Sequence, residues 1–229
     1  MYTWINWHTN LLTLEKFKFF NIEEERPDIS SPWSNQVTDE QLIFHSDPFF
    51  AECRAYGRIY ERSNGREIVV PCYGYMAIPA DPAIERMFSH RFGITDWNRS
   101  EEYKHRGEGY RQPFRALVKK FVDSKITLGK PVNMHRNLKT LRAWGIFQRD
   151  VFARNYKNGL LVDFSMSWTD PHWMLSVLSL DELTKKKNSE LYQFDEMIED
   201  AGIKTRVKAA PNLMYRKKLR KRVLTSEII

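Results

Sequence analysis

The chain has little of what would staple a small fold from outside. It holds two cysteines, Cys53 and Cys72, in 229 residues. Two thiols are too few for a disulfide framework or a zinc site. Both read as buried thiols in a reducing compartment. No apolar run approaches the roughly 18 residues that span a bilayer, so no membrane segment is expected. Met1 to Leu12 lacks a charged region followed by an apolar one, so no secretory leader is expected, and the protein reads as intracellular. Acidic residues are almost absent from one stretch. Residues 203–229 carry nine Lys and Arg against the single acid Glu227, while residues 1–202 sum to about −1 of the formal +7. A near-neutral body with a basic tail excludes a protein whose whole surface wraps nucleic acid.

What is present suffices for a core: 42% of residues are hydrophobic and 14% aromatic,. Residues 11–20 alternate as a strand does. Residues 21–40, with Glu23, Glu24, Glu25, Pro27 and Pro32, read as an acidic loop,. Asp47-Pro48 starts a helix running to about Tyr60. Asn64-Gly65 is a turn. Ile68-Val69-Val70 opens a strand that continues through Cys72-Tyr73-Gly74-Tyr75, with both tyrosines expected in the core. A short helix is expected at 82–90, a strand at 114–122 and a helix at 133–144 that stops at Gly145. Leu160-Leu161-Val162 reads as a short buried strand. Asp181 is expected to cap a helix ending at Gly202, and 213–224 is amphipathic.

The segment that carries chemistry is 145–165. Arg149-Asp150 is followed by Asn155, and a buried strand then ends in Asp163-Phe164-Ser165. This resembles the protein-kinase catalytic loop and metal motif. Phosphoryl transfer needs that layout. One Asp orients the attacking hydroxyl, while an Asn and a second Asp hold the magnesium that neutralises the phosphates. On this resemblance Asp150 is the catalytic residue, and Asn155 and Asp163 are the metal ligands of an ATP–Mg2+ site. The helix at 48–60 offers Glu52 as partner to a phosphate-binding lysine, for which Lys16 is the candidate. The preceding and following elements fall in kinase order, with a hinge near Val122-Asp123-Ser124.

The run Pro48-Phe49-Phe50-Ala51-Glu52-Cys53-Arg54-Ala55-Tyr56-Gly57-Arg58, then Cys72-Tyr73-Gly74-Tyr75, Asp163-Phe164-Ser165 and Trp168-Thr169-Asp170-Pro171-His172 narrow the resemblance. They are similar to a fungal kinase-like family grouped with a subunit of the Sim4 kinetochore complex, over about residues 10–180. The implied fold is α+β and kinase-like. Residues 1–202 form the domain: an N-lobe-like part at 10–124 has a short antiparallel sheet and one helix, and a reduced, mainly helical C-lobe-like part spans 125–202. The basic tail covers 203–229. Implied partners are those of a kinetochore complex, and the implied location is nuclear.

Several features depart from a working kinase. No glycine-rich loop precedes the first strand, and the chain is expected to start within the fold or to be shortened. Gln148 replaces the usual His and Ser165 the usual Gly. Glu15 competes with Lys16 for the lysine position, and a one-residue slip in a strand reverses the face. No Ala-Pro-Glu follows Asp163, and only 66 residues remain after it. The reading is therefore a pseudokinase or scaffold module, with nucleotide binding left open. Two alternatives stay open: an active ATP/Mg-dependent phosphotransferase using Asp150, Asn155 and Asp163, and a nucleic-acid-binding protein acting through residues 216–222, a run that also fits a nuclear import signal. His172 is expected to be structural, and His90, His105 and His135 lack metal-ligand spacing. Arg149 is expected either to pair with an acid or to lie exposed.

Overall fold

The computed structural model describes residues 37–79, 81–93, 113–122 and 128–211. The strand expected at 11–20, with Lys16, and the helix expected at 213–224 lie outside the described residues. Within them the architecture is mixed α+β, with several helices and small antiparallel sheets.

Local chemistry starts the helices. Helix α1, Asp39–Ser46, begins inside the stretch expected to be loop. Its signal was present: Thr38 accepts from the Gln41 backbone N–H, and the Gln41 side chain accepts from the Thr38 N–H, a complete capping box,. Helix α2, Pro48–Ser63, starts as expected at Asp47, whose carboxylate accepts from the Phe49 N–H at 2.8 Å. It runs past Tyr60 and stops where Asn64 turns left-handed. Strand β1, Cys72–Ile78, leads to helix α3, Pro82–Phe92, and then to strand β2, Phe114–Lys119.

β1 pairs antiparallel with β2, with an irregularity between Cys72 and Gly74. This ribbon corrects one expectation. Only Cys72 of β1 is buried, and Tyr73 and Tyr75 are 69% and 71% exposed. The alternation that marks a half-buried strand is absent because residues 73–77 face solvent on both sides of the ribbon,.

Helix α4, Pro131–Ala143, packs on the hydrophobic centre through Met134, Leu138 and Leu141. Strand β3, Ile146–Phe147, then precedes a single 3-10 turn, Ala153–Asn155. Strands β4, Tyr156–Lys157, and β5, Leu160–Leu161, form a hairpin. Its turn is Asn158-Gly159, both at positive φ, the geometry that Asn-Gly supplies. No side chain fits at Gly159, because an added Cβ would lie 2.8 Å from the Gly129 backbone. Strand β6, Trp168–Thr169, pairs with β3. Val69 joins the hairpin by a parallel bridge to Leu161.

After the short helix α5, Trp173–Val177, comes α6, Leu180–Asp200. Its cap is Ser179, in a capping box with Glu182, and not Asp181. The Ser179 hydroxyl two residues upstream accepts from the Glu182 N–H, which leaves Asp181 inside the first turn. Leu191, Phe194, Met197 and Ile198 press α6 onto α4 and the hairpin. The first part of the basic segment does not leave the body. Ile203, Val207, Ala209 and Ala210 pack against the same core. Asp195 accepts from the Ala209 and Ala210 N–H groups at 2.8 and 3.0 Å.

Phe194 is fully buried at the meeting of these elements. Phe194→Ala should therefore cost about 3–5 kcal/mol in denaturant unfolding, the range for emptying an aromatic core position. Leu180→Ala, at a site 79% exposed, should change stability by less than about 0.5 kcal/mol. Equal effects would refute this placement of the core.

Candidate functional site

The site is assembled around Glu52. The α2 periodicity that buries Phe49, Ala55, Tyr56 and Ile59 also turns Glu52 inward, to 1% exposure. A bare carboxylate there would be very costly. Its Oε1 takes the Lys119 ammonium from the end of β2, a side chain 6% exposed, and also accepts from the Phe164 N–H at 2.9 Å. The same ammonium donates to the Val162 carbonyl at 2.8 Å. Burial raises the Glu52 carboxyl above its ordinary range, against the pull of Lys119; the charge of Asp163 adds to the rise. The amine on Glu52 thus comes from a strand that follows the helix in sequence. Lys16, the candidate for that role, lies outside the described residues. Sequence reading passed over Lys119 as one polar residue in the run 114–122. The available signal was its place at the end of a strand otherwise fit for burial.

Asp150 and Asn155 share hydrogen bonds, and Asp163 follows the residue whose N–H is bound to the Asn155 carbonyl. Asn155 is buried, and its Nδ2 donates to the Asp150 backbone carbonyl and to Oδ2, each at 2.9 Å. Arg154 donates to both Asp150 carboxylate oxygens at 2.9 and 3.0 Å. The Val162 N–H donates to the Asn155 carbonyl at 3.0 Å. Asp163 accepts from the Ser165 N–H at Oδ1, 2.8 Å. Its backbone carbonyl accepts from Gln148 Nε2 at 2.6 Å. Gln148 therefore orients the Asp163 turn through its side-chain amide.

Behind Gln148 stands a residue that no motif or spacing singles out. Glu190 on α6 is wholly buried. It accepts from the Gln148 N–H at 2.6 Å and pairs with Arg142 on α4. Only the tertiary fold brings positions 142, 148 and 190 together. Burial pushes the Glu190 carboxyl up to about 7, against the pull of Arg142.

A second set of ties joins α2 to the turn after β6. Arg54 donates to the Thr169 and Pro171 carbonyls, and Arg58 to the Trp144 and Asp170 carbonyls at 3.1 and 2.8 Å. The Arg149 guanidinium lies 4.5 Å from the Trp168 ring centroid, a cation–π contact,. His172 is buried and accepts from the Met174 N–H at 3.2 Å, capping α5. Cys53 and Cys72 are free thiols, half-buried and buried.

The donor set suits magnesium only in company. Asn155 and Asp163 offer hard oxygens, but among the described residues no group of three His, Cys, Asp or Glu side chains is placed to hold a metal. Two protein oxygens meet the needs of Mg2+ when phosphate oxygens and water complete the shell.

Two consequences can be measured. Lys119→Met strands the buried Glu52 carboxylate and should cost about 3–5 kcal/mol. A second change, Glu52→Leu, should recover much of that loss, because it removes the orphaned charge; an additive double mutant would show that the pair is not coupled. The second test concerns pH. Between about pH 4.5 and 7 the folded protein keeps a proton on Glu190 that the unfolded chain has released. This group's contribution therefore falls as pH rises through that window and is flat above it. Glu52 acts in the same direction. His45 and His172, lowered by burial to about 4 and about 3, act in the opposite direction below their ordinary 6.5. The difference between wild type and Glu190→Gln isolates the one group. Measured by urea unfolding from pH 5 to 8, it should move against the wild type up to about pH 7. A pH-independent difference would show Glu190 ionised throughout.

Comparison with known proteins adds one match. The family model of the kinetochore Sim4 complex subunit FTA2 matches residues 6–168, which hold Glu52, Lys119, Asp150, Asn155 and Asp163. No curated protein and no solved structure matches the chain. The family match spans well over half of the sequence, and the chain belongs to the kinetochore Sim4 complex subunit FTA2 family.

Proposed function

We propose that this protein is a kinase-like scaffold subunit of a Sim4-type kinetochore complex, in which the residues of a phosphotransfer site have become internal ties. Membership of a kinetochore subunit family supports protein-complex partners and a nuclear location. No helix among the described residues is long and apolar enough to cross a membrane. The kinase-like part of the reading is supported by the layout around Asp150. Its carbonyl receives the Asn155 amide, Gln148 reaches the Asp163 carbonyl, and Glu52 joins a lysine to the Asp163-Phe164 turn.

The observation that carries the scaffold reading is the state of Lys119. A lysine that neutralises a phosphate pairs with a helix carboxylate, as Lys119 does with Glu52, and must also present its ammonium where the ligand arrives,. Lys119 is 6% exposed, and its ammonium is held by the Glu52 carboxylate and the Val162 carbonyl. It joins helix, strand and loop from within.

One observation favours a second reading, an ATP/Mg-dependent phosphotransferase. The second Asp163 oxygen and the Asn155 amide oxygen take no hydrogen bond among the described residues. In that reading Asn155 and Asp163 hold the ion, which offsets phosphate charge when bound. Asp150, its side chain 20% exposed, orients the hydroxyl and accepts its proton,.

A thermal-shift titration separates the two. In the scaffold reading, millimolar ATP with magnesium leaves the melting temperature unchanged in wild type and in Asp163→Asn alike. A ligand at 100 times its Kd would add about 2.7 kcal/mol. A saturable rise that Asp163→Asn abolishes would overturn the scaffold reading in favour of the phosphotransferase.

A further inference from the structure

We propose that residues 203–208 form a preorganised cationic ridge that docks the phosphate backbone of duplex nucleic acid. The inference is independent of the Asp150 network and concerns the opposite end of the sequence.

The ridge begins where α6 ends. Ile203 returns onto the helix by donating its N–H to the Ile198 carbonyl at 3.1 Å. From there burial alternates strictly. Ile203, Thr205 and Val207 are half-buried, while Lys204, Arg206 and Lys208 are exposed. Ile203 and Val207 pack on the core, and the segment closes with Ala209 and Ala210 bound to both oxygens of Asp195. The Val207 N–H donates to Thr205 Oγ1 and fixes the bend at Arg206. The backbone is thus held from inside at every second residue, and the three cations lie along its outer side. Glu196, Glu199 and Asp200 lie on the last turns of α6, just before the ridge.

Charge and spacing name the partner. From Ile203 to Ser226 there are nine basic residues and no acid, so the ridge is the anchored start of a longer basic run. The three exposed cations sit at alternate positions on one outer side of the anchored segment. A cluster of outward cations that leads into a longer basic run suits a polymer that repeats its charge, and a duplex carries one phosphate per about 1.7 Å of axis,. Lysine and arginine in such a cluster position a backbone and read no sequence. An acidic protein partner would present a unique patch, for which a strict alternation has no use.

The test uses the full chain, a fluorescently labelled duplex, and anisotropy at several salt concentrations. The triple variant Lys204→Gln, Arg206→Gln, Lys208→Gln should bind duplexes of unrelated sequence roughly tenfold or more weakly, and its slope of log K against log salt should shrink by about 2.7, or about 0.9 per lost contact. Neutralising the basic residues of 216–222 instead should leave the contribution of the ridge in place. The proposal fails if the triple variant matches wild type in affinity and slope, or if wild type does not bind duplex at all. It also fails if wild type prefers poly-glutamate to duplex at equal salt. The substituted side chains are exposed, so the melting temperature should not move. Should the triple variant misfold, Lys204→Gln and Lys208→Gln singly should each lower the slope by about 0.9, and unchanged slopes in both would sink the idea.

Discussion

The Glu52 carboxylate is the point on which the described body turns. It is buried, so it must be satisfied where it stands. Its two partners come from distant parts of the chain, the Lys119 ammonium at the end of β2 and the Phe164 N–H beyond the hairpin. Through Lys119 the same node reaches the Val162 carbonyl. One charge thus fixes a helix, a strand and a loop against each other. Desolvation raises the carboxyl while the lysine lowers it. A pair of this kind contributes little net stability compared with apolar packing, but losing either member is severe. It specifies an arrangement more than it strengthens one.

The remaining polar groups extend that arrangement outward. Glu190 holds the Gln148 backbone and Arg142, the Gln148 side chain holds the Asp163 carbonyl, and Asn155 holds Asp150. The apolar layer under them is continuous: Tyr56 meets Phe164 edge to face at 5.3 Å, and Leu138, Leu141 and Phe194 close the far side. The result is a site whose side chains brace their own loops. That suits the scaffold role proposed above for a subunit of the kinetochore Sim4 complex FTA2 family.

Local signals were the most legible part of the sequence. Asp47-Pro48 and Asn158-Gly159 act through backbone geometry within two or three residues, and both stand where they were read. The Thr38–Gln41 box is equally local, but the acidic, proline-containing stretch before it drew the whole segment into a loop. Ser179 lost to Asp181 because both are good caps and only the solved geometry shows which one meets the free N–H groups. Tyr73 and Tyr75 misled for another reason. Aromatic alternation marks a strand but does not say whether anything covers it.

By itself the sequence determined the Asp47-Pro48 helix start, the tight hairpin turn, the Asp150–Asn155–Asp163 spacing and the concentration of positive charge beyond residue 202. Each follows from neighbours along the chain or from counting. Only the tertiary structure decided which amine meets Glu52, that Glu190 lies behind Gln148, and that residues 203–211 are fastened to the body. Those contacts join positions 14 to 112 residues apart. No periodicity encodes such a pairing. It arises because a buried charge must find its partner wherever packing brings one within reach.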